Sequence, residues 1–174
     1  MGRWSWSDRR TVEECKSIDV VWFNRQGWFC GFVRSSIQWK NALDEVTGSI
    51  GIEISVDEES LEENYVRLFY TQTNNFTKKK TELDYKVELV TTPCTFGGVR
   101  YWFICPLVVN GRFCGRRVGK LYLPPGGKYF GCRHCYNLTY RSCKESHKYN
   151  RLFAEIAKDV PGATPEMVKW ALTR

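Results

Sequence analysis

The sequence lacks a membrane-spanning stretch, a secretory signal, internal repeats and low-complexity segments, and it contains only two histidines. Its longest apolar run covers residues 102–109, whereas a membrane helix needs roughly 20 apolar residues. The N-terminus is polar and basic, and no apolar stretch follows it. We therefore expect a cytoplasmic protein that makes no membrane contact.

Catalytic patterns are also missing. No nucleophile stands beside a candidate base, and two histidines leave little scope for acid–base chemistry. Hydrophobic residues make up 43% and charged residues 26% of the 174 positions, which is a globular composition. The sequence thus predicts a folded protein that is not an enzyme and has no small-molecule substrate.

Positive charge is concentrated in the second half of the chain. Residues 1–93 contain 12 Lys/Arg and 15 Asp/Glu, whereas residues 94–174 contain 14 and 4. Between residues 99 and 151 there are 11 basic side chains and one acid, Glu145. This asymmetry favours a C-terminal part that binds a polyanion, with nucleic acid as the expected partner. A basic surface that serves only solubility is the alternative.

Eight cysteines in a cytoplasmic chain are not expected to form disulfides. Four of them follow a metal-ligand pattern, in which Cys105 and Cys114 precede the pair Cys132 and Cys135. The others are scattered, and we interpret them as small buried hydrophobic residues. They are Cys15, Cys30, Cys94 and Cys143.

The pattern of these four cysteines predicts one structural zinc ion. Zinc takes four thiolate or imidazole ligands in a tetrahedron, usually two from each of two tight turns. The Cys132–Cys135 spacing suits one such turn, but eight residues separate Cys105 from Cys114. Because Asn110-Gly111 is a strong two-residue turn signal, we expect a small hairpin inserted into the first turn. Its ends would keep both thiols near one metal.

The predicted fold class is α+β, with a small antiparallel β domain, a four-cysteine zinc ribbon and a C-terminal helical segment. Residues 1–93 form the β domain, with a front helix from Thr11 to Gly27 and four or five strands. Residues 94–141 form the ribbon, and residues 142–174 form the helices. The strands are expected at residues 28–33, 37–39, 49–56, 65–70, 83–90, 99–104 and 116–123, with residues 128–131 returning to the second turn.

The helical segment shows two further signals. Leu152, Phe153, Ile156 and Val160 form an apolar stripe at helical spacing. Thr164 followed by Pro165 is typical of a helix start, so a short last helix is expected through Leu172.

Six segments of the chain are similar to segments of known proteins: Trp6–Cys15, Thr92–Cys94, Gly97–Phe103, Cys114–Val118, Cys132–Tyr136 and Leu138–Tyr140. Through them the chain resembles a group of small, uncharacterised bacterial proteins that are often found near mobile elements. Members look as if they have a close Cys-Pro-x-Cys-Gly first turn, from which the insertion here departs. The resemblance implies a zinc ribbon and a mobile-element context, and it implies no activity.

We predict that the ribbon surface binds DNA or RNA, because cations neutralise phosphates while aromatic rings stack on exposed bases. Arg141, Lys144, Lys148 and Arg151 would extend the positive field. The candidate contact residues are Arg112, Arg116, Arg117, Lys120, Tyr122, Lys128, Tyr129, Arg133 and Arg141.

An alternative function is a mobile-element factor that docks on or inhibits a nucleic-acid-processing or defence enzyme. A protein-docking surface needs a hydrophobic hot spot, and Trp4, Trp6 and Trp28 are the candidates for it.

Overall fold

The computed structural model describes residues 9–57, 64–73, 79–145, 150–160 and 162–172. No helix in these ranges is long and apolar enough to cross a membrane. The elements are the 3₁₀ helix Val12–Glu14, the strands β1 (Lys16–Asp19), β2 (Gly31–Lys40), β3 (Val46–Val56), β4 (Tyr65–Thr73), β5 (Lys80–Pro93), β6 (Val99–Ile104), β7 (Val108–Val109), β8 (Arg112–Phe113), β9 (Arg117–Val118) and β10 (Lys120–Leu123), and the helices α1 (Val20–Arg25), α2 (Arg141–Glu145), α3 (Asn150–Asp159) and α4 (Pro165–Leu172).

Antiparallel strands are the predominant secondary structure of the described chain. Six of them form one sheet in the order β2-β3-β4-β5-β6-β9, and two smaller sheets pair β1 with β10 and β7 with β8. Few helices accompany them, so the structure agrees with the α+β class in its broad sense. The predicted strands at 49–56, 65–70, 83–90 and 99–104 lie within β3, β4, β5 and β6.

The prediction of a front helix from Thr11 to Gly27 is wrong for its central residues, because Lys16–Asp19 form the strand β1. Ile18 of β1 is buried and faces Leu121 of β10 in the ladder, so tertiary pairing overrides the local helical signal. The helix that follows has its own cap, since the Asp19 carboxylate accepts a hydrogen bond from the Val21 N–H at 2.8 Å. Gly27, with φ of +70°, follows the end of that helix.

Two other strand predictions had incorrect boundaries. Residues 31–33 and 37–39 lie in one continuous strand, β2, whereas residues 28–30 precede it. Conversely, the predicted strand 116–123 divides at Gly119 into β9, which pairs with β6, and β10, which pairs with β1. The bend at Gly119 therefore transfers the chain from the large sheet to a small one.

Residues 128–131 do not form the predicted strand, apart from a single bridge between Tyr122 and Gly131. Hydroxyl groups from the large sheet hold this segment instead. The Tyr70 hydroxyl donates to the Lys128 carbonyl oxygen, and the Tyr85 hydroxyl accepts from the Phe130 N–H at 2.8 Å. Side chains thereby satisfy backbone groups that a strand partner would otherwise bind.

One hydrophobic core spans both sides of the predicted boundary at residue 93. It joins Ile52 and Val66 of the large sheet to Phe103, Phe130 and buried cysteines of the second half. The large sheet also crosses this boundary, because β5 pairs with both β4 and β6. The division of the chain into domains at residues 93 and 141 stays a prediction. The predicted β domain (1–93) and the predicted ribbon (94–141) share one core.

The C-terminal helices follow the predicted pattern in part. Phe153 is buried, whereas Leu152 and Val160 are about half exposed, so the apolar stripe is only partly covered. The Thr164 hydroxyl accepts from the Met167 N–H at 3.3 Å at the start of α4, which confirms the predicted cap.

We expect Tyr85→Phe to lower the free energy of unfolding by about 1–3 kcal/mol, because it leaves the buried Phe130 N–H without its acceptor. Urea denaturation of the two proteins measures the difference. Tyr65→Phe, on a half-buried ring of the same sheet, is the matched control and should change stability by less than about 0.5 kcal/mol. Equal midpoints for all three proteins would contradict the role of the Tyr85 hydroxyl.

Candidate functional site

Four cysteines converge from separate parts of the chain. Cys105 directly follows β6 and Cys114 directly follows β8, while Cys132 and Cys135 lie in the turn that follows residue 131. Their Sγ atoms all lie within 4.8 Å of one another. The structure thus brings together all four cysteines that the sequence predicts as ligands.

The spacing of the sulfur atoms fits a tetrahedral metal centre. The Sγ–Sγ distances are 3.8 Å for Cys105–Cys135, 3.8 Å for Cys114–Cys132 and 3.5 Å for Cys132–Cys135. A metal–sulfur bond of about 2.3 Å gives tetrahedral edges of about 3.8 Å. A disulfide would need about 2.05 Å, and all the cysteines are free thiols. The cluster could therefore hold one metal ion.

The first turn contains the predicted hairpin. β7 and β8 pair through a turn at Asn110 and Gly111, whose φ angles are +51° and +75°. These left-handed conformations suit an Asn-Gly turn. The Cys114 N–H donates to the Leu107 carbonyl oxygen at 2.8 Å, which closes the base of the hairpin. The inserted residues therefore leave Cys105 and Cys114 close enough to share a metal.

Backbone N–H groups point at the sulfur atoms. The Cys132 N–H donates to Cys105 Sγ at 3.2 Å, and the Cys135 N–H donates to Cys132 Sγ at 3.4 Å. Such hydrogen bonds favour the thiolate that a metal requires.

Burial acts in the opposite direction on the free thiols. It raises the pKa of Cys105 to about 11 and also raises the pKa of Cys135. For Cys114 burial also raises the pKa, but hydrogen bonds from the Arg116 N–H and the neighbouring thiols outweigh it and the pKa falls. A bound cation would compensate the buried charge.

The four remaining cysteines lie outside this cluster. Cys30, Cys94 and Cys143 are exposed and Cys15 is half-buried, so the prediction that they are buried hydrophobic residues is wrong. Cys30 lies in the turn after α1, where its thiol donates to the Gly27 carbonyl oxygen at 2.9 Å. His134, which lies between two cysteines of the cluster, is exposed.

The predicted nucleic-acid contacts differ in their accessibility. Tyr122 is only 8% exposed, so it cannot offer a ring face as its prediction requires. Tyr129 is 43% exposed, although its edge packs against Tyr85. Arg133 is half-buried. The exposed members of the set are Arg112, Arg116, Arg117, Lys120, Lys128 and Arg141.

Acidic partners restrain two of these residues. The Lys120 ammonium lies 3.0 Å from the Asp19 carboxylate, whose hydrogen bond raises the pKa of Lys120. The Arg141 N–H donates to the Glu13 carboxylate at 3.1 Å, while the guanidinium side chain stays exposed. Lys148 lies outside the described residues, and so does the side chain of Arg151.

An open cleft of about 270 Å³ lies between the second cysteine turn, the end of the large sheet and the start of α2. Basic and aromatic side chains line it, together with Val118 and Gly119. They are Arg100, Trp102, Lys120, Tyr122, Arg133, His134 and Tyr140. We call this the basic cleft.

Guanidinium groups lie over two of its rings. Arg100 Cζ is 4.2 Å and Arg117 Cζ is 5.5 Å from the Trp102 ring centroid, and Arg133 Cζ is 5.1 Å from that of Tyr140. Sequence reasoning missed Arg100, Trp102 and Tyr140 as site residues. Alternation along the predicted strand 99–104 would have placed Arg100 and Trp102 on the same face.

No protein-family model, curated protein or solved structure matches this chain. The resemblance to bacterial proteins found near mobile elements thus stays an expectation. Function has to be inferred from the cysteine cluster and the surfaces around it.

Deletion of residues 108–113 should leave metal binding intact, because the Leu107 carbonyl and the Cys114 N–H already meet at the base of the hairpin. The shortened chain has the compact spacing Cys-Pro-Leu-Cys-Gly in its first turn. Metal content by plasma mass spectrometry should remain at one ion per chain. Loss of the metal from a folded deletion variant would show that the hairpin itself builds the site.

Cys132→Ser should abolish metal binding by the cluster, since it removes one of its buried thiols. Cys94→Ser changes an exposed thiol outside the cluster and should retain a full complement of metal. The same metal analysis compares the two variants. Equal metal content in both would contradict the assignment of the ligands.

Proposed function

We propose that the four cysteines hold one structural zinc ion, that the unit around them is a zinc ribbon, and that this unit binds nucleic acid without catalysing a reaction. The observation that carries the proposal is a near-tetrahedral set of thiols inside a surface rich in exposed cations. The resemblance to bacterial zinc-ribbon proteins supports the same assignment of the metal.

Zinc suits a site made of four thiolates, because it accepts tetrahedral sulfur coordination and has no redox chemistry. Four protein ligands leave no open position for water or substrate, so the ion would serve structure and not catalysis. The strands around the four cysteines are too short to be stable without a bound ion. β7, β8 and β9 have two residues each, and hydrogen bonds along such short strands give little stability.

The charge around the centre favours a polyanion. The sequence contains no Asp or Glu between Glu88 and Glu145, while Arg112, Arg116 and Arg117 are exposed within that stretch. Among the described residues, two acids approach from elsewhere: Asp19 contacts Lys120, and Glu13 contacts the backbone of Arg141. The exposed guanidinium groups of Arg112 and Arg116 can therefore contact phosphate groups, which bind arginine well through its planar donors.

The protein-docking alternative gains no comparable support. Trp28 is half-buried and packs against Trp22 and Phe23, so it contributes to the interior. Trp4 and Trp6 lie outside the described residues. A protein partner is therefore an outcome of the binding test below and not a second proposal.

The double variant Arg116→Ala/Arg117→Ala should weaken binding to DNA or RNA about tenfold or more, and the affinity should depend less on salt. Each lost phosphate contact reduces the slope of log K against log salt by about 0.7–0.9. Fluorescence anisotropy with labelled oligonucleotides at about 50 mM and about 200 mM salt measures both quantities.

Arg34→Ala is the matched control. It removes one exposed guanidinium from β2, at the opposite edge of the large sheet from β9, and Glu53 keeps its contact with Arg67 at 2.8 Å. Binding should therefore stay within about twofold of the unchanged protein. Absence of binding to every nucleic acid at low salt would reject the proposal and point to a protein partner. An equal loss of binding free energy per removed charge in both variants would show that total charge, and not this surface, determines affinity.

A further inference from the structure

We propose that the basic cleft accepts one unstacked nucleotide, so that the chain prefers single-stranded nucleic acid to duplex. This inference rests on the proposed function, and it adds the form of nucleic acid and the residues that recognise it.

The basic cleft combines aromatic rings, which can stack on a base, with guanidinium groups, which can bind a phosphate. Tyr140 supplies a partly exposed ring with the Arg133 guanidinium over it, and the half-buried Trp102 forms a wall that carries the Arg100 and Arg117 guanidinium groups. Stacking of bases on aromatic rings beside a cationic groove is the general mode of single-strand recognition. Tyr140 is 42% exposed, so part of its ring is free to contact a base.

The basic cleft is too small for more than one nucleotide. Its volume of about 270 Å³ lies just below the range of about 300–1,000 Å³ that is typical of small-molecule sites. A duplex cannot place a base in such a space without unpairing it, which costs a few kcal/mol. A single strand offers unpaired bases and avoids most of this cost.

The walls of the basic cleft are held in place before a ligand arrives. The Trp102 indole N–H donates to the Thr92 hydroxyl at 2.8 Å, which fixes the ring against β5. Arg133 and His134 lie between Cys132 and Cys135, so the turn that carries two cysteines of the cluster determines the position of their backbone. The Gly119 carbonyl accepts from the Val20 N–H at 3.0 Å and fixes the bend between β9 and β10. A preformed site of this kind loses little conformational entropy on binding.

The bend at Gly119 has room for a Cβ atom on the lining of the basic cleft. A Cβ at Gly119 would lie 3.7 Å from Val20 Cγ2 and 3.9 Å from Trp102 Cζ3, which are ordinary contact distances. Gly119→Leu should therefore place a larger side chain beside the Trp102 ring. Tyr140→Ala instead removes a ring and leaves the bend unchanged.

The test compares three probes of about 12 nucleotides, a length within the usual site sizes of single-strand binders. One is a single strand, one is the duplex of the same sequence, and one is a strand of equal charge in which every base is replaced by an abasic analogue. Fluorescence anisotropy of the metal-loaded chain should give the highest affinity for the base-bearing single strand. Tyr140→Ala and Gly119→Leu should each lower that affinity by roughly 5- to 100-fold. Neither should change binding to the abasic strand.

Phe32→Ala is the matched aromatic control, because it removes an exposed ring from β2 at the far edge of the large sheet. It should bind all three probes as the unchanged protein does. Equal affinity for base-bearing and abasic strands, or cleft variants that bind as the control does, would overturn the nucleotide site while leaving the basic-surface function intact. Failure to bind any probe would overturn both. Circular dichroism and metal content establish that each variant is folded.

Discussion

Four thiols within 4.8 Å of one another cannot all ionise in a buried cluster unless a cation shares the space. This electrostatic constraint governs the second half of the molecule. Backbone N–H groups already point at Cys105 and Cys132, yet burial raises the pKa of Cys105 and Cys135. In the proposed zinc-bound form the ion compensates the negative charge and fixes two turns whose own strands are very short.

The cysteine unit is also tied to the large sheet. β6 belongs to that sheet and runs directly into Cys105, while Tyr70 and Tyr85 bind the backbone of the segment that leads to Cys132. The N-terminal segment adds β1 to β10 and a parallel bridge between Thr11 and Thr139. Arg133 lies in the second cysteine turn and Trp102 lies in β6 of the large sheet, and both line the basic cleft. A change at the cysteine cluster should therefore alter the basic cleft.

Local chemistry explains which features could be predicted from sequence. The four clustered cysteines follow from spacing, the inserted hairpin from Asn110-Gly111, and the strand before Cys105 from its β-forming residues. Each of these signals lies within a few residues along the chain. The geometry at Leu107 and Cys114 then shows why an eight-residue gap still brings two thiols together.

Features that depend on distant parts of the chain were missed. β1 exists because Ile18 pairs with Leu121, and the segment 128–131 is held by tyrosine hydroxyls instead of a strand. The basic cleft forms only when β6, the bend at Gly119 and the second cysteine turn meet. No local pattern specifies that Trp102 and Tyr140 will share a cavity.

Hydrogen exchange of the metal-loaded and metal-stripped chain tests the central claim most directly, because it follows each part of the fold separately. The account predicts that removal of the metal abolishes amide protection at Cys114, Cys132 and Cys135 and weakens it along β10. Protection of the buried strands β3 and β4 should persist. Unchanged protection around the cysteines after complete removal of the metal would contradict the claim that the ion holds this unit together.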